Sequence, residues 1–180
     1  MRNFRLSYAV VVGGIVAGMA IAPVQGAVAA PIESALSHCA IEIFPIGDIA
    51  SSPTGAVCFA TEDEVTAFLH GSAESGRGAR AAAAGVAVGT VYKDAGGAGG
   101  SLTFWGSSGC TGATFGFPTV PSGWDNSISS VRGSNSCWAT VYADVNYVGS
   151  RVNCSPYCAS IGSRNDSVKS LVFRPTGTLG

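Results

Sequence analysis

The chain has 180 residues, with ten Lys or Arg, eleven Asp or Glu, two His and six Cys, for a formal net charge of −1. A balance this close to neutral argues against nucleic acid or another polyanion as partner, and a charged fraction of 12% is too low for a solvated, disordered chain. Twenty-five glycines without a three-residue period call for many tight turns and exclude a mainly helical protein.

Residues 1–29 read as a secretory signal peptide: Arg2 and Arg5, an uncharged run from Tyr8 to Ala22, then Pro23 and the small residues Gly26 to Ala30, with cleavage expected after Ala29. Fifteen apolar residues reach about 22 Å as a helix, short of the roughly 30 Å hydrocarbon layer, so no membrane association is expected once the leader is removed. The product is expected to be secreted and extracellular, with eight basic against eleven acidic groups, a net charge of −3. All six cysteines follow the cleavage point, and an oxidising environment implies three disulfides. Of the fifteen possible connectivities, Cys39–Cys58, Cys110–Cys137 and Cys154–Cys158 keep each bridge within one local unit. A zinc site lacks partners, because His38 and His70 are the only histidines.

From residue 30 to 70 the pattern is a small unit of its own. Cys39 to Phe44 and Gly55 to Phe59 are short apolar runs flanking a Gly/Ser/Pro loop, which predicts a disulfide-closed hairpin. Thr61-Glu62-Asp63-Glu64 is a capping box, and Val65, Phe68 and Leu69 then fall on one helical face, with Gly71 placed to end the helix. Residues 71–85, rich in Gly, Ala, Ser and Arg, read as a linker, partly helical at Arg80 to Ala84.

Beyond the linker the chain repeats. Thr90-Val91-Tyr92-x-Asp94 recurs as Thr140-Val141-Tyr142-x-Asp144, each with a glycine seven residues after the tyrosine, Gly99 and Gly149. Asp125 to Val131 recurs as Asn165 to Leu171. Strand-like runs surround these signatures, at Leu102 to Trp105, Thr114 to Phe117, Trp138 to Tyr142 and Ser170 to Phe173, so two four-stranded units are predicted over residues 86–176. The aromatics Trp105, Trp124, Trp138, Tyr142 and Phe173 are expected in the core, with a sugar-binding platform as the alternative.

After Glu74 there is no Glu and no His, and the only acids are Asp94, Asp125, Asp144 and Asp166, each inside a repeated signature. Carboxylates beside hydroxyls and loop carbonyls, with no histidine to act as a base, suit a hard cation better than acid–base catalysis, so no enzyme is expected. Other metal and phosphate motifs fail. The run from Asp144 to Gly149 opens like an EF-hand loop but places Val148 and Ser155 where ligands belong. Gly96 to Gly100 lacks the helix and Lys of a phosphate-binding loop and reads as a hairpin turn. Cys154-Ser-Pro-Tyr-Cys158 lacks the redox spacing and reads as a structural clasp.

The tyrosine–glycine spacing and Asp125-Asn126-Ser127-Ile128-Ser129-Ser130 resemble the βγ-crystallin family, over about residues 86–176. That resemblance implies an all-β fold, two Greek-key motifs forming a βγ-crystallin-like sandwich, here preceded by the hairpin and short helix. It also implies up to two calcium sites, each built by both repeats. The implied ligands are Asp125, Asn126, Ser127 and Ser129 from the first repeat and Asn165, Asp166 and Ser167 from the second. The loops around Lys93 and Asp94 and around Ala143 and Asp144 complete them.

Lys169 replaces the ligand hydroxyl of the second pattern. A like charge at 4 Å costs roughly 4 kcal/mol per unit at an effective dielectric of 20, so one site is expected rather than two. The competing reading is that the patterns only form turns, with Ser130 and Ser170 bonding the fold. At fold level the layout is also similar to the streptomycete metalloproteinase inhibitors and killer-toxin-like proteins. The leading expectation is a secreted module that binds calcium weakly. The alternative is an inhibitor of an extracellular metalloprotease, presenting the stretch from Gly106 to Trp124 with Pro118 and Pro121.

Overall fold

Cys39 and Cys58 stand directly opposite each other in an antiparallel hairpin of β1 (His38–Glu42) and β2 (Val57–Phe59), and the expected disulfide joins them. The computed structural model describes residues 36–47, 55–71 and 85–179. The leader, its cleavage point and nearly all of the linker, including Arg80 to Ala84, lie outside the described residues. Helix α1 (Glu62–Leu69) begins as its sequence dictates. The Thr61 hydroxyl accepts from the Glu64 amide at 3.2 Å, and the Glu64 carboxylate accepts from the Thr61 amide at 3.1 Å. Val65, Phe68 and Leu69 are buried, and Gly71 leaves the helix at φ 71°.

Eight further strands follow: β3 (Val86–Asp94), β4 (Ala98–Gly106), β5 (Phe115–Phe117), β6 (Ser130–Gly133), β7 (Cys137–Tyr142), β8 (Arg151–Cys154), β9 (Tyr157–Cys158) and β10 (Ser170–Pro175). They form two sheets, ordered β2-β1-β4-β3-β6-β9 and β5-β10-β7-β8. Each sheet holds three strands of one repeat and one strand of the other: β9 closes the sheet of the first repeat, and β5 that of the second. These are two intercalated Greek keys packed as a βγ-crystallin-like sandwich, the fold class expected from the sequence.

The core lies between the sheets, where Phe104 of β4 meets Phe117 of β5 at 5.3 Å and Phe173 of β10 at 5.4 Å between ring centroids. Val91, Leu102, Val131, Val141 and Leu171 fill the rest, all essentially sealed from water. Trp105, Trp124, Tyr142 and Phe173 are buried as expected, while Trp138 is only partly covered. Cys110–Cys137 and Cys154–Cys158 complete the expected bridges, and no described cysteine is free.

One pairing carries no local sequence signal. Strand β1 runs parallel to β4, from His38 opposite Ser101 to Glu42 opposite Trp105, so the N-terminal hairpin extends the first sheet. Helix α1 then covers the outer face of that extension. A second apolar cluster forms there from Ala40, Val65, Phe68, Leu69 and Trp105, with the Phe68 and Trp105 rings edge to face. Among the described residues no helix is long and apolar enough to cross a membrane.

Candidate functional site

The two repeated signatures meet at the end of the sandwich where the turns before β6 and β10 cross. The contacts are nearly the same in both repeats. Ser129 N–H donates to the Tyr92 carbonyl at 2.9 Å, and Lys169 N–H donates to the Tyr142 carbonyl at 2.9 Å. Asp166 N–H reaches the Ile128 carbonyl at 3.1 Å, and Asn126 N–H reaches the Val168 carbonyl at 3.2 Å. Asp166 and Asn126 both adopt left-handed backbone, φ 52° and 54°, a conformation that Asn and Asp tolerate better than other side chains. Each turn therefore places a side chain of one repeat beside the strand end of the other.

In the first clamp the Ser129 hydroxyl, on a residue only 5% exposed, donates to the Lys93 carbonyl at 2.6 Å and stands 3.5 Å from Asp166 Oδ1. The Asn165 amide donates to Asp166 Oδ2 at 2.7 Å and orients that carboxylate. A hydroxyl, a main-chain carbonyl and a carboxylate thus lie close together, oxygen donors of the kind hard cations take. In the second clamp Lys169 occupies the backbone position of Ser129 and Asn126 that of Asp166, so a lysine replaces the hydroxyl and an amide replaces the carboxylate.

The remaining expected ligands are placed differently. Asp125 is exposed at the edge of the first turn. The Ser127 hydroxyl donates to the Gly123 carbonyl at 3.2 Å and the Ser167 hydroxyl to the Arg164 carbonyl at 3.0 Å, each closing its own turn. The carboxylates of Asp94 and Asp144 fold over Gly99 and Gly149, so close that a Cβ on either glycine would collide with them, and both glycines have positive φ. These two aspartates brace their own hairpins. Their carbonyls accept from the Ser130 and Ser170 hydroxyls, each at 2.6 Å. The same hydroxyls accept from the amides of Gly97 and Tyr147, each at 3.0 Å. Ser130 and Ser170 thus hold each hairpin to its Greek key, as the turn-forming reading expects. Among the described residues no three His, Cys, Asp or Glu side chains gather to hold a metal.

A feature missed in the sequence is the Lys93 ammonium, which sits 5.1 Å from the centroid of the Trp124 ring. This cation–π contact pins the loop whose carbonyl serves the first clamp.

The stretch from Gly106 to Trp124 is held at several points. Cys110 is bonded to Cys137, Phe115 to Phe117 pair with β10, and Val120 N–H donates to the Lys169 carbonyl at 2.9 Å. Around and between these anchors Ser107, Ser108, Thr111, Gly112, Pro118 and Thr119 are exposed. The result is a presented surface on a fixed frame.

Three solved structures with similarity to this chain are βγ-crystallin domains. One from Flavobacterium johnsoniae has 24% identity over 51% of this chain and 99% of its own, with a TM-score of 0.36. One from Clostridium beijerinckii has 17% identity over 48% and 97%, with a TM-score of 0.38. One from Ciona intestinalis has 15% identity over 49% and 98%, with a TM-score of 0.37. No curated protein matches the chain. Residues 91–155, just over a third of the chain and running from β3 to the turn after β8, match peptidase inhibitor family I36.

Proposed function

We propose that the protein is an extracellular inhibitor of a peptidase, built on a disulfide-held pair of Greek keys and acting by binding rather than by catalysis. The observation that carries this reading is the match of residues 91–155 to peptidase inhibitor family I36. That span contains the whole segment from Gly106 to Trp124 and the Cys110–Cys137 bridge. A surface fixed in advance by a disulfide and by strand pairing loses little conformational freedom on docking, which favours affinity for a cleft. Secretion is consistent with three disulfides in a chain of this size. The test is an assay of the oxidised protein, residues 30–180, against a panel of extracellular metallo-, serine and cysteine peptidases. Slowing of at least one class at stoichiometric concentration is the expected result. A panel left untouched contradicts the reading.

A second reading rests on the first clamp. Ser129 Oγ, the Lys93 carbonyl and Asp166 form a donor set that takes one calcium ion weakly, and the ion serves the scaffold by tying the two repeats together. Calorimetric titration with calcium tests it. One weak, saturable site is expected, and the absence of any heat of binding contradicts it.

A further inference from the structure

Away from the clamp and from the segment between Gly106 and Trp124, a cleft of about 430 Å³ opens on the outer face of the first sheet, between α1 and β6. Its floor carries hydroxyls, Thr90 and Tyr92 of β3 and Thr103 of β4, with the two threonine hydroxyls 3.1 Å apart. One wall is α1, with Glu62 at its start and Leu69 at its end. Arg132 of β6 stands on the opposite side. The volume lies within the range of small-molecule sites.

The two charges are available to a ligand. The Arg132 guanidinium lies over the Tyr157 ring at 4.9 Å, a contact that positions it while leaving its N–H donors free for an anion. Among the described residues it has no carboxylate partner. The Glu62 carboxylate is half exposed, and the one basic side chain within 4.0 Å of it among the described residues is the His38 imidazole, whose Nδ1 also meets Ser101 Oγ at 2.9 Å. Beside the dominant effect of burial, both charges act on the Tyr92 phenol, Glu62 raising its pKa and Arg132 lowering it, so each lies within electrostatic reach of the floor. Burial is the largest influence on that phenol, raises its pKa further and keeps it a neutral donor.

We propose that this cleft binds a small zwitterion, a molecule carrying one carboxylate and one ammonium, such as a free amino acid or a dipeptide. Arg132 takes the carboxylate, Glu62 takes the ammonium, and an aliphatic side chain lies against Leu69. A guanidinium offers a carboxylate paired donors in a fixed plane, which sets the orientation of the ligand. The hydroxyl floor supplies neutral contacts that discriminate little between side chains. This site is independent of peptidase inhibition and stands or falls without it.

The test uses leucine and leucyl-leucine as probes, with calorimetry and amide chemical shifts as readouts. Saturable binding is expected, with shifts centred on residues of β3, β6 and α1. Tighter binding of the amino acid or of the dipeptide identifies the source of the ligand. Leucine amide, which lacks the carboxylate, and N-acetyl-leucine, which lacks the ammonium, should each bind about tenfold more weakly or worse. Arg132→Gln should abolish the preference for leucine over its amide, and Glu62→Gln the preference over the acetylated form. Both residues are exposed, so unchanged melting temperatures are expected for both variants. The proposal is overturned if neither probe gives saturable shifts, if the two controls bind as well as leucine, or if both variants keep the full preference.

Discussion

Ser129 and Asp166, thirty-seven residues apart and in different repeats, bring a hydroxyl and a carboxylate oxygen to 3.5 Å of each other. The pair exists only when both Greek keys are folded and docked, so anything bound there is linked to global stability. For one site binding the folded state alone, the gain is RT ln(1 + [Ca]/Kd). With a Kd of about 10⁻⁴ M, typical of extracellular sites with few charged ligands, a hundredfold excess of calcium gives about 2.7 kcal/mol. Thermal unfolding in calcium and in chelator should differ by several degrees, and Ser129→Ala or Asp166→Asn should remove most of the difference.

Lys169→Ser should act in the opposite direction. Its backbone is held like that of Ser129, since each donates to the equivalent tyrosine carbonyl at 2.9 Å. Serine there supplies an oxygen and removes a positive charge, so the calcium-dependent shift in melting temperature should grow.

Ser130→Ala and Ser170→Ala separate fold from ion. Each hydroxyl is fully buried and bridges a carbonyl and an amide of a hairpin, and its loss leaves both backbone groups unpaired. A loss of about 1–3 kcal/mol is expected in urea unfolding, with the response to calcium unchanged.

These serines mark how far the sequence could be read. The capping box at Thr61, the three bridges and the paired signatures are local patterns, and each led to the element that formed. The parallel pairing of β1 with β4 joins segments some sixty residues apart and rests on burial of Ile41 and Ile43 in the core, which no short motif encodes. Asp94 and Asp144 read the same as Asp166 in sequence. Only the fold separates an acid that braces its own hairpin glycine from one that faces the other repeat. The cleft beside α1 was invisible for the same reason, since its walls come from distant parts of the chain.

Alkaline pH should weaken the fold through Tyr92 and Tyr147. Burial is the first cause of a raised phenol pKa at both, supported by Glu62 at Tyr92 and by Tyr142 at Tyr147. A group whose folded pKa is raised holds its proton longer in the native state. The associated stability is complete below the unfolded value of about 10 and declines as pH rises through the folded value. Unfolding free energies measured across that range should fall, and Tyr92→Phe should flatten the decline.

Replacing Cys110 and Cys137 together by alanine should cost about 2–5 kcal/mol and release the segment from Gly106 to Trp124 from one of its anchors. Because the proposed inhibitory surface depends on that anchor, inhibition should weaken by more than the loss of folded protein accounts for. Circular dichroism and the inhibition assay on the same sample compare the two losses.

Inhibition is tested most directly by titrating a susceptible extracellular peptidase, from the metallopeptidases first, with the oxidised protein. Activity should fall linearly to a plateau near one equivalent, and the inhibitor should be recovered intact from the complex. Full activity at a large excess across every peptidase class, or rapid digestion of the protein at the segment from Gly106 to Trp124, would contradict inhibition.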